Sequence, residues 1–285
     1  VIDKKKLAIA VPVSVISDTP HLREKTSKIG LIGRVAAIFR VNEIIIYSDN
    51  PKANQAKDLD LIALLLNYLE TPQYLRKRLF KLEPNLQFAG ILPPLRTPHH
   101  PISGRTHDLK TGEYREGVVL AKDKEVLLVD IGVEQPAVLR EAQYAVGDRL
   151  TLQIVNVGVR TEVQTVNHED LPVYWGFKVQ AEKRSFGQIL GDGEFDLTIA
   201  TARVGIKFMN VAGPIGKRWG VAQHILVAFG APSRGLPEIC KEEGVKLGSI
   251  VDFVVNMIPG QGTATVRTEE ALLASLAIFN VQYNH

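Results

Sequence analysis

The stretch Val251-Asp252-Phe253-Val254-Val255-Asn256-Met257-Ile258-Pro259-Gly260-Gln261-Gly262-Thr263-Ala264-Thr265-Val266-Arg267-Thr268-Glu269-Glu270-Ala271 decides how this chain is read. A β-branched run ends in a Pro-Gly-x-Gly turn, and a helix is predicted to begin at Thr268, a good N-cap residue. Pro259 removes a backbone donor and fixes one dihedral, while Gly260 and Gly262 let main chain come close to a bound molecule. Such a turn can offer main-chain groups to an adenine. On this segment alone an ordinary strand-to-helix turn reads equally well. The Rossmann fingerprint does not fit. Gly260-Gln261-Gly262-Thr263-Ala264-Thr265 lacks the third glycine, lies near the C-terminus, and precedes no βαβ unit that could carry the ribose-binding acid. No Walker loop occurs. Dinucleotide and nucleoside-triphosphate binding therefore lose ground.

Outward from this unit, the chain alternates between two rhythms. Residues 6–16 read as a strand, His21 to Arg40 as an amphipathic helix, and Asn42 to Tyr47 as a fully buried strand. Asn54 to Phe80 is mostly helical and Leu-rich, and Leu86 to Leu92 reads as a third strand closed by Pro93-Pro94. This is the β-α-β-α-β pattern of a parallel sheet. From Glu113 to Ala181 the helical period disappears. Strand-like runs recur at Tyr114–Ala121, Glu125–Ile131, Arg149–Val157, Arg160–Asn167 and Val173–Ala181, which predicts a small closed barrel of OB type. After Gly191-Asp192-Gly193 the α/β rhythm resumes, with strands expected at Asp196–Ala202, His224–Phe229 and Ile250–Met257. The expected organisation is an α/β domain formed by residues 1–102 and 184–285, interrupted by a barrel over residues 103–183. The polar, Pro- and Gly-rich junctions Arg96–Arg105 and Lys183–Gly193 suit an insertion.

Of the 285 residues, 45% are hydrophobic and 23% charged, as in an ordinary globular protein. The single cysteine, Cys240, excludes an intramolecular disulfide framework and a cysteine metal cluster, and fits a reducing, cytoplasmic setting. No apolar run approaches the ~20 residues of a membrane span. Lys4-Lys5-Lys6 before Leu7 to Val11 mimics a signal peptide, but Pro12 and the Val/Ile content favour a first strand. The chain opens on Val1, not Met, which leaves room for residues upstream. The net charge of +3 is uneven: residues 1–102 carry 15 Lys and Arg against 9 Asp and Glu, whereas residues 103–183 carry 10 against 13. Arg76-Lys77-Arg78 with Lys81 form the densest cluster, either a solvated helix face or a phosphate-contacting patch.

Three segments together resemble the SPOUT, or α/β-knot, RNA methyltransferases. Leu226 to Leu236 resembles their second cofactor loop, Asn256 to Ala271 their third loop and C-terminal knot helix, and Ile199 to Gly205 stands where the first loop belongs. Gln73-Tyr74-Leu75-Arg76-Lys77, Leu86-Gln87-Phe88-Ala89-Gly90, Pro98-His99-His100 and Arg115-Glu116-Gly117 are similar to the archaeal and eukaryotic branch with an OB-fold insertion. The resemblance covers nearly the whole chain. It implies a trefoil-knotted fold, S-adenosylmethionine as methyl donor with S-adenosylhomocysteine as product, and a homodimer with its active site near the subunit interface. Composition could not show a knot, since knots are almost absent from proteins.

The resemblance assigns cofactor contacts to Arg203, Gly230, Asn256 and Met257, with Ile258, Gly260, Gly262, Thr263 and Val266 completing the adenine and ribose cradle. Arg34, within Leu31 to Ala37, matches the arginine placed beside the reacting nucleotide and is the catalytic candidate; by itself it reads as a helix-surface salt bridge. The second loop, Gly230-Ala231-Pro232-Ser233-Arg234-Gly235, departs from the family in lacking an acidic residue, so no general base is evident. RNA contacts are expected from Arg76, Lys77, Arg78, His99, His100 and Trp175, the last flanked by Tyr174 and Phe177 as a stacking platform or as barrel core. Adjacent His99 and His100 are poorly disposed to share a metal ion, and none is expected. Glu269 and Glu270 suit the helix dipole in a first turn. The branch suggests methylation of uridine at ring position 3 in ribosomal RNA. Arg34 leaves ribose 2′-O-methylation open, and the missing acid leaves a non-catalytic RNA-binding or assembly scaffold open.

Overall fold

A computed structural model describes residues 5–123, 126–141 and 143–283. Six parallel strands form one sheet in the order β11-β9-β10-β1-β2-β8. These are β1 (Lys6–Pro12), β2 (Glu43–Tyr47), β8 (Lys178–Glu182), β9 (Leu197–Lys207), β10 (His224–Ala228) and β11 (Phe253–Asn256). β1, β2 and β10 are nearly continuous apolar runs, as strands covered on both faces require, whereas β8 at the sheet edge is largely polar. In β1 only Lys6 is exposed and the other six residues are buried, and the strand lies between β2 and β10. The helices of this unit are α1 (Leu22–Ile38), most of α2 (Ala56–Glu70), α4 (Phe186–Leu190), α5 (Phe208–Val221), α6 (Leu236–Glu242), α7 (Leu247–Ile250) and α8 (Thr268–Tyr283). One core cluster joins Ala8, Ala10, Ile45 and Tyr47 of the sheet to Phe186, Leu236, Ile239 and Cys240.

A second compact unit comprises Tyr68–Pro84 and Pro94–Gly176. It holds α3 (Gln73–Leu79) and a closed barrel of β3 (Tyr114–Asp123), β4 (Val126–Asp130), β5 (Ala137–Leu139), β6 (Arg149–Asn156) and β7 (Glu162–Thr165). The strands run β3-β4-β5-β7-β6, and β6 pairs back with β3. All neighbours are antiparallel except β5 and β7. This is an OB-like barrel, its interior filled by Val119, Leu127, Val129, Leu139, Leu152, Ile154 and Val163.

The parallel sheet and the five-stranded barrel are both as expected, but their strand rosters differ. Leu86 to Leu92 is not a strand: it forms two short 3-10 turns, Pro84–Leu86 and Ala89–Ile91, whose tail Leu92-Pro93 packs against Gly30 of α1. The slot beside β2 is taken instead by β8, the end of the run expected to close the barrel. The barrel is completed by β5, only three residues long and too short to leave a periodic signal. Glu125, at the start of the expected second barrel strand, lies outside the described residues.

Candidate functional site

Ligand sites in open parallel sheets lie at the carboxyl ends of the strands. Three adjacent strands here contribute to one cleft of about 280 Å³, β9 with its own residues and β10 and β11 with the segments that follow them. Thr201–Val204 come from β9, Phe229–Gly235 follow β10, and Asn256–Ile258 follow β11. Thr268, Ala271 and Ser275 line it from α8, at spacings of three and four that share a helix face. Gly205 is needed for this convergence. A Cβ there would lie 2.6 Å from the Val255 carbonyl carbon, where β11 shifts register between Val254 and Val255. The close approach sets Asn256 against β9. Its Nδ2 donates to the Arg203 carbonyl at 2.8 Å and its Oδ1 accepts from the Ile258 N–H at 3.0 Å. Arg203 Nη1 donates to the Ala264 carbonyl at 2.9 Å. Both side chains therefore hold the 256–266 loop against β9.

The 229–236 loop is pinned from two other elements. The Tyr47 hydroxyl donates to the Phe229 carbonyl at 2.8 Å, and burial together with the Asp49 charge pushes its pKa well up, so the proton stays in place. Thr268 Oγ1 donates to the Gly230 carbonyl at 2.9 Å. Thr268 is the first residue of α8 and gives its hydroxyl to the 229–236 loop, not to a cap of its own helix. A Cβ at Gly230 would sit 2.8 Å from Leu236 N and 2.9 Å from Gly235 Cα. The glycine is demanded first by the loop's own backbone.

Of the residues assigned to a cofactor, Arg203, Gly230, Asn256, Met257, Ile258 and Val266 line the cleft. Gly260, at φ +73°, Gly262 and Thr263 belong to the same loop but not to the lining; a Cβ at either glycine meets nothing within 4 Å. Thr263 Oγ1 donates to the Thr265 carbonyl at 2.8 Å. Among the described lining residues one carboxylate appears, Glu238, in the first turn of α6. Glu238 lies two residues beyond the Leu226–Leu236 segment that resembles a cofactor loop. The signal was the Gly235-Leu236-Pro237-Glu238 helix start, where proline at the first turn and a following acid mark an N-terminus.

Arg34 is half-buried on α1 and is not among the residues lining this cleft. The expected RNA contacts fall in the barrel unit and divide by exposure. Lys77 is exposed. Arg78 is exposed and pairs with Asp130 at 2.8 Å. Arg76 is turned inward: Nε donates to the Thr71 carbonyl at 2.9 Å, Nη2 to the Leu69 carbonyl at 3.0 Å, and the guanidinium stacks over Tyr68. It caps the end of α2. His99 is fully buried and Trp175 is 4% exposed, so neither offers a ring face to a base.

These two instead join a buried polar cluster. Trp175 Nε1 donates to Glu116 Oε1 at 2.6 Å, and Arg149 donates to Glu116 at 2.6 Å and to both oxygens of Glu70 at 2.7 and 3.0 Å. His99 Nε2 lies 3.2 Å from Glu70 Oε1, and His100 Nε2 meets the Glu70 carbonyl at 2.7 Å. Burial pushes the Glu70 carboxyl up, but the His99 hydrogen bond and the Arg149 charge outweigh it and hold the pKa at about 2. Burial, and then the neighbouring His99, push His100 down to about 4. Among the described residues no group of three or more His, Cys, Asp or Glu is placed to hold a metal ion, and no helix is long and apolar enough to cross a membrane.

Comparison with known proteins fits this geometry. The family described as "Putative RNA methyltransferase" matches residues 6–279. An uncharacterized protein of Halobacterium salinarum is 32% identical over 94% of this chain and 96% of its own length. The 28S rRNA (uridine-N(3))-methyltransferase of Drosophila melanogaster is 30% identical over 95% of this chain and 61% of its own. The human protein of the same name is 29% identical, covering 95% and 77%.

Proposed function

Since the chain belongs to this family of RNA methyltransferases, we propose that it moves a methyl group from S-adenosylmethionine to N3 of a uridine in ribosomal RNA. The observation that carries the reading is the cleft where residues 201–204 of β9 meet the segments that follow β10 and β11. Its size is near the lower end of ligand clefts, ~300–1,000 Å³. Small residues such as Ala202, Gly230, Ala231, Ser233, Gly235 and Ala264 make up much of its lining, which leaves room for a nucleoside, with the Glu238 carboxylate to complement a cation or a ribose hydroxyl. The uridine target is taken from the names of the fly and human relatives.

The bound donor supplies a methyl group on positively charged sulfur. The protein's work is to align the uridine N3 behind that carbon and to take the N3 proton, because the neutral imide nitrogen is a poor nucleophile. Glu238 is the carboxylate available in the cleft for that proton. Arg34 is the cation we assign to the anionic charge that develops on the uracil ring. Leu31, Arg34 and Ile38 follow one another at i, i+3 and i+7 on α1, and the two apolar members are exposed. That face suits burial against a second copy of the chain, which would bring Arg34 to the partner's cleft. The homodimer and the trefoil path of the 229–236 and 256–267 segments belong to this reading.

Mass spectrometry of nucleosides from ribosomal RNA of a deletion strain tests it. Loss of 3-methyluridine, restored by the wild-type gene, is the expected result. Loss of a 2′-O-methylated nucleoside in its place would move the target to ribose, and an unchanged nucleoside profile would leave a scaffold.

A further inference from the structure

The 230–236 wall of the cleft is tethered by a charge from a distant loop. Arg234 Nη2 donates to Asp49 Oδ2 at 2.9 Å, and Nη1 donates to Glu242 Oε2 at 2.7 Å. Asp49 stands just beyond the carboxyl end of β2 and is 1% exposed. It accepts three more hydrogen bonds: the Ser14 N–H at 3.0 Å and Gln55 Nε2 at 2.9 Å on Oδ1, and the Ser14 hydroxyl on Oδ2. Gln55 Oε1 accepts in turn from Ser48 Oγ at 2.9 Å and from the N–H groups of Asp49 at 3.1 Å and Asn50 at 3.0 Å, which fixes the turn presenting the carboxylate. Ser14 lies in the 3-10 turn after β1. A single carboxylate thus joins the ends of β1 and β2 to the loop after β10.

Burying a carboxylate is expensive, and an apolar replacement of a buried ion pair is often as stable. What an apolar pair cannot supply is direction. The fork of Arg234 fixes both where the loop lies and how it is turned, and Arg234, Gly235 and Gly230 all line the cleft. We propose that Asp49 is a positioning residue for methyl-donor binding: it holds Arg234, and through it the 230–236 wall, in the donor-accepting shape before the donor arrives. This rests on the donor reading above. Preorganisation of this kind raises affinity by removing the cost of ordering the loop.

The test is calorimetric titration of the full chain with S-adenosylhomocysteine, with the unfolding midpoint measured without ligand. Asp49→Asn and Arg234→Met should each raise Kd about tenfold or more, out of proportion to any change in the ligand-free midpoint. The double variant should bind little worse than the weaker single one, because the two groups act as one unit. Arg234→Lys should recover part of the affinity, since it restores a cation opposite Asp49. Unchanged Kd in the single variants, or effects that multiply in the double, would overturn the proposal. If Asp49→Asn does not fold, Arg234→Met decides, since its side chain is partly exposed. Failure of the unaltered protein to bind would overturn the donor reading and this inference with it, whereas equal binding by all variants would overturn this inference alone.

Discussion

Gly230 and Gly262 look alike in the sequence but occupy different physical situations. A Cβ at Gly230 runs into the backbone of Gly235 and Leu236, so Gly230→Ala must move the loop. It should cost about 1–3 kcal/mol of stability, as overpacking does, and weaken S-adenosylhomocysteine binding together with it. A Cβ at Gly262 enters open space. If that space is where the donor's main-chain contacts are made, Gly262→Val should weaken binding while leaving ligand-free stability within about 0.5 kcal/mol. Urea unfolding and calorimetry on both variants check the pair; a Gly262→Val protein that binds normally would remove the residue from the site. Glycine turns were legible because their chemistry is local. Asp49 was not, because its meaning depends on Arg234, 185 residues away. Asn256 and Arg203 were named by the resemblance and both line the cleft, while their hydrogen bonds to the chain itself appear only when β9 and β11 are brought together.

At the scale of elements, the barrel unit is held by a buried charge cluster that takes in His99, His100 and Trp175, three of the residues expected to meet RNA. Arg149 joins Glu70 at the end of α2 to Glu116 on β3, and both carboxylates are nearly buried. Arg149→Met strands two acids and should cost roughly 3–5 kcal/mol, the usual penalty for breaking a buried pair from one side; urea unfolding measured on barrel resonances gives the value. Acid should loosen the same cluster in two stages. His100 faces His99, Glu70 and Arg76, and its pKa in the fold, about 4, lies below the ordinary 6.5. The unfolded chain therefore binds more protons, and this group's contribution is complete above 6.5 and lost as pH falls toward 4. Glu70 follows: its contribution is complete above its ordinary 4.5 and lost as pH falls toward about 2. His100→Gln should flatten the upper stage and keep the lower one. Stability that rises as pH falls from 6.5 would contradict the assignment. The periodic pattern disclosed a barrel, yet it could not say that Lys178–Glu182 would pair with β2, since an apolar run does not carry the address of its neighbour.

At the scale of the whole molecule, two surfaces remain to be assigned by experiment. The basic excess in the first third was legible from charge alone, but Arg76 caps α2 and Arg78 pairs with Asp130, which leaves exposed Lys77 and Lys81 as the candidates for phosphate contact. Lys77→Glu with Lys81→Glu should weaken RNA binding at every sequence tested and flatten its salt dependence by ~0.7 in slope per lost contact on single strands. Filter binding across a salt series would show it, and an unchanged slope would place the RNA elsewhere. The second surface is apolar. Leu31 and Ile38 of α1 and Leu273 and Val281 of α8 are exposed, and the middle of α8, residues 271–279, is apolar on all its faces but for Ser275, a pattern of helices that are covered on every side. A two-fold dimer would cover both and bring Arg34 of one subunit to the cleft of the other. Arg34→Ala should then lower methyl transfer on the order of a hundredfold, as loss of one charge-stabilising donor does, with donor affinity and dimer mass unchanged. Gly230→Ala should fail for a different reason, an altered donor loop. Subunits carrying the two substitutions, unfolded and refolded together, should recover about a quarter of wild-type activity, because half of the random dimers are mixed and each mixed dimer holds one site with both groups intact. Activity that stays at the level of the separate variants would place Arg34 and the donor loop in the same subunit's site.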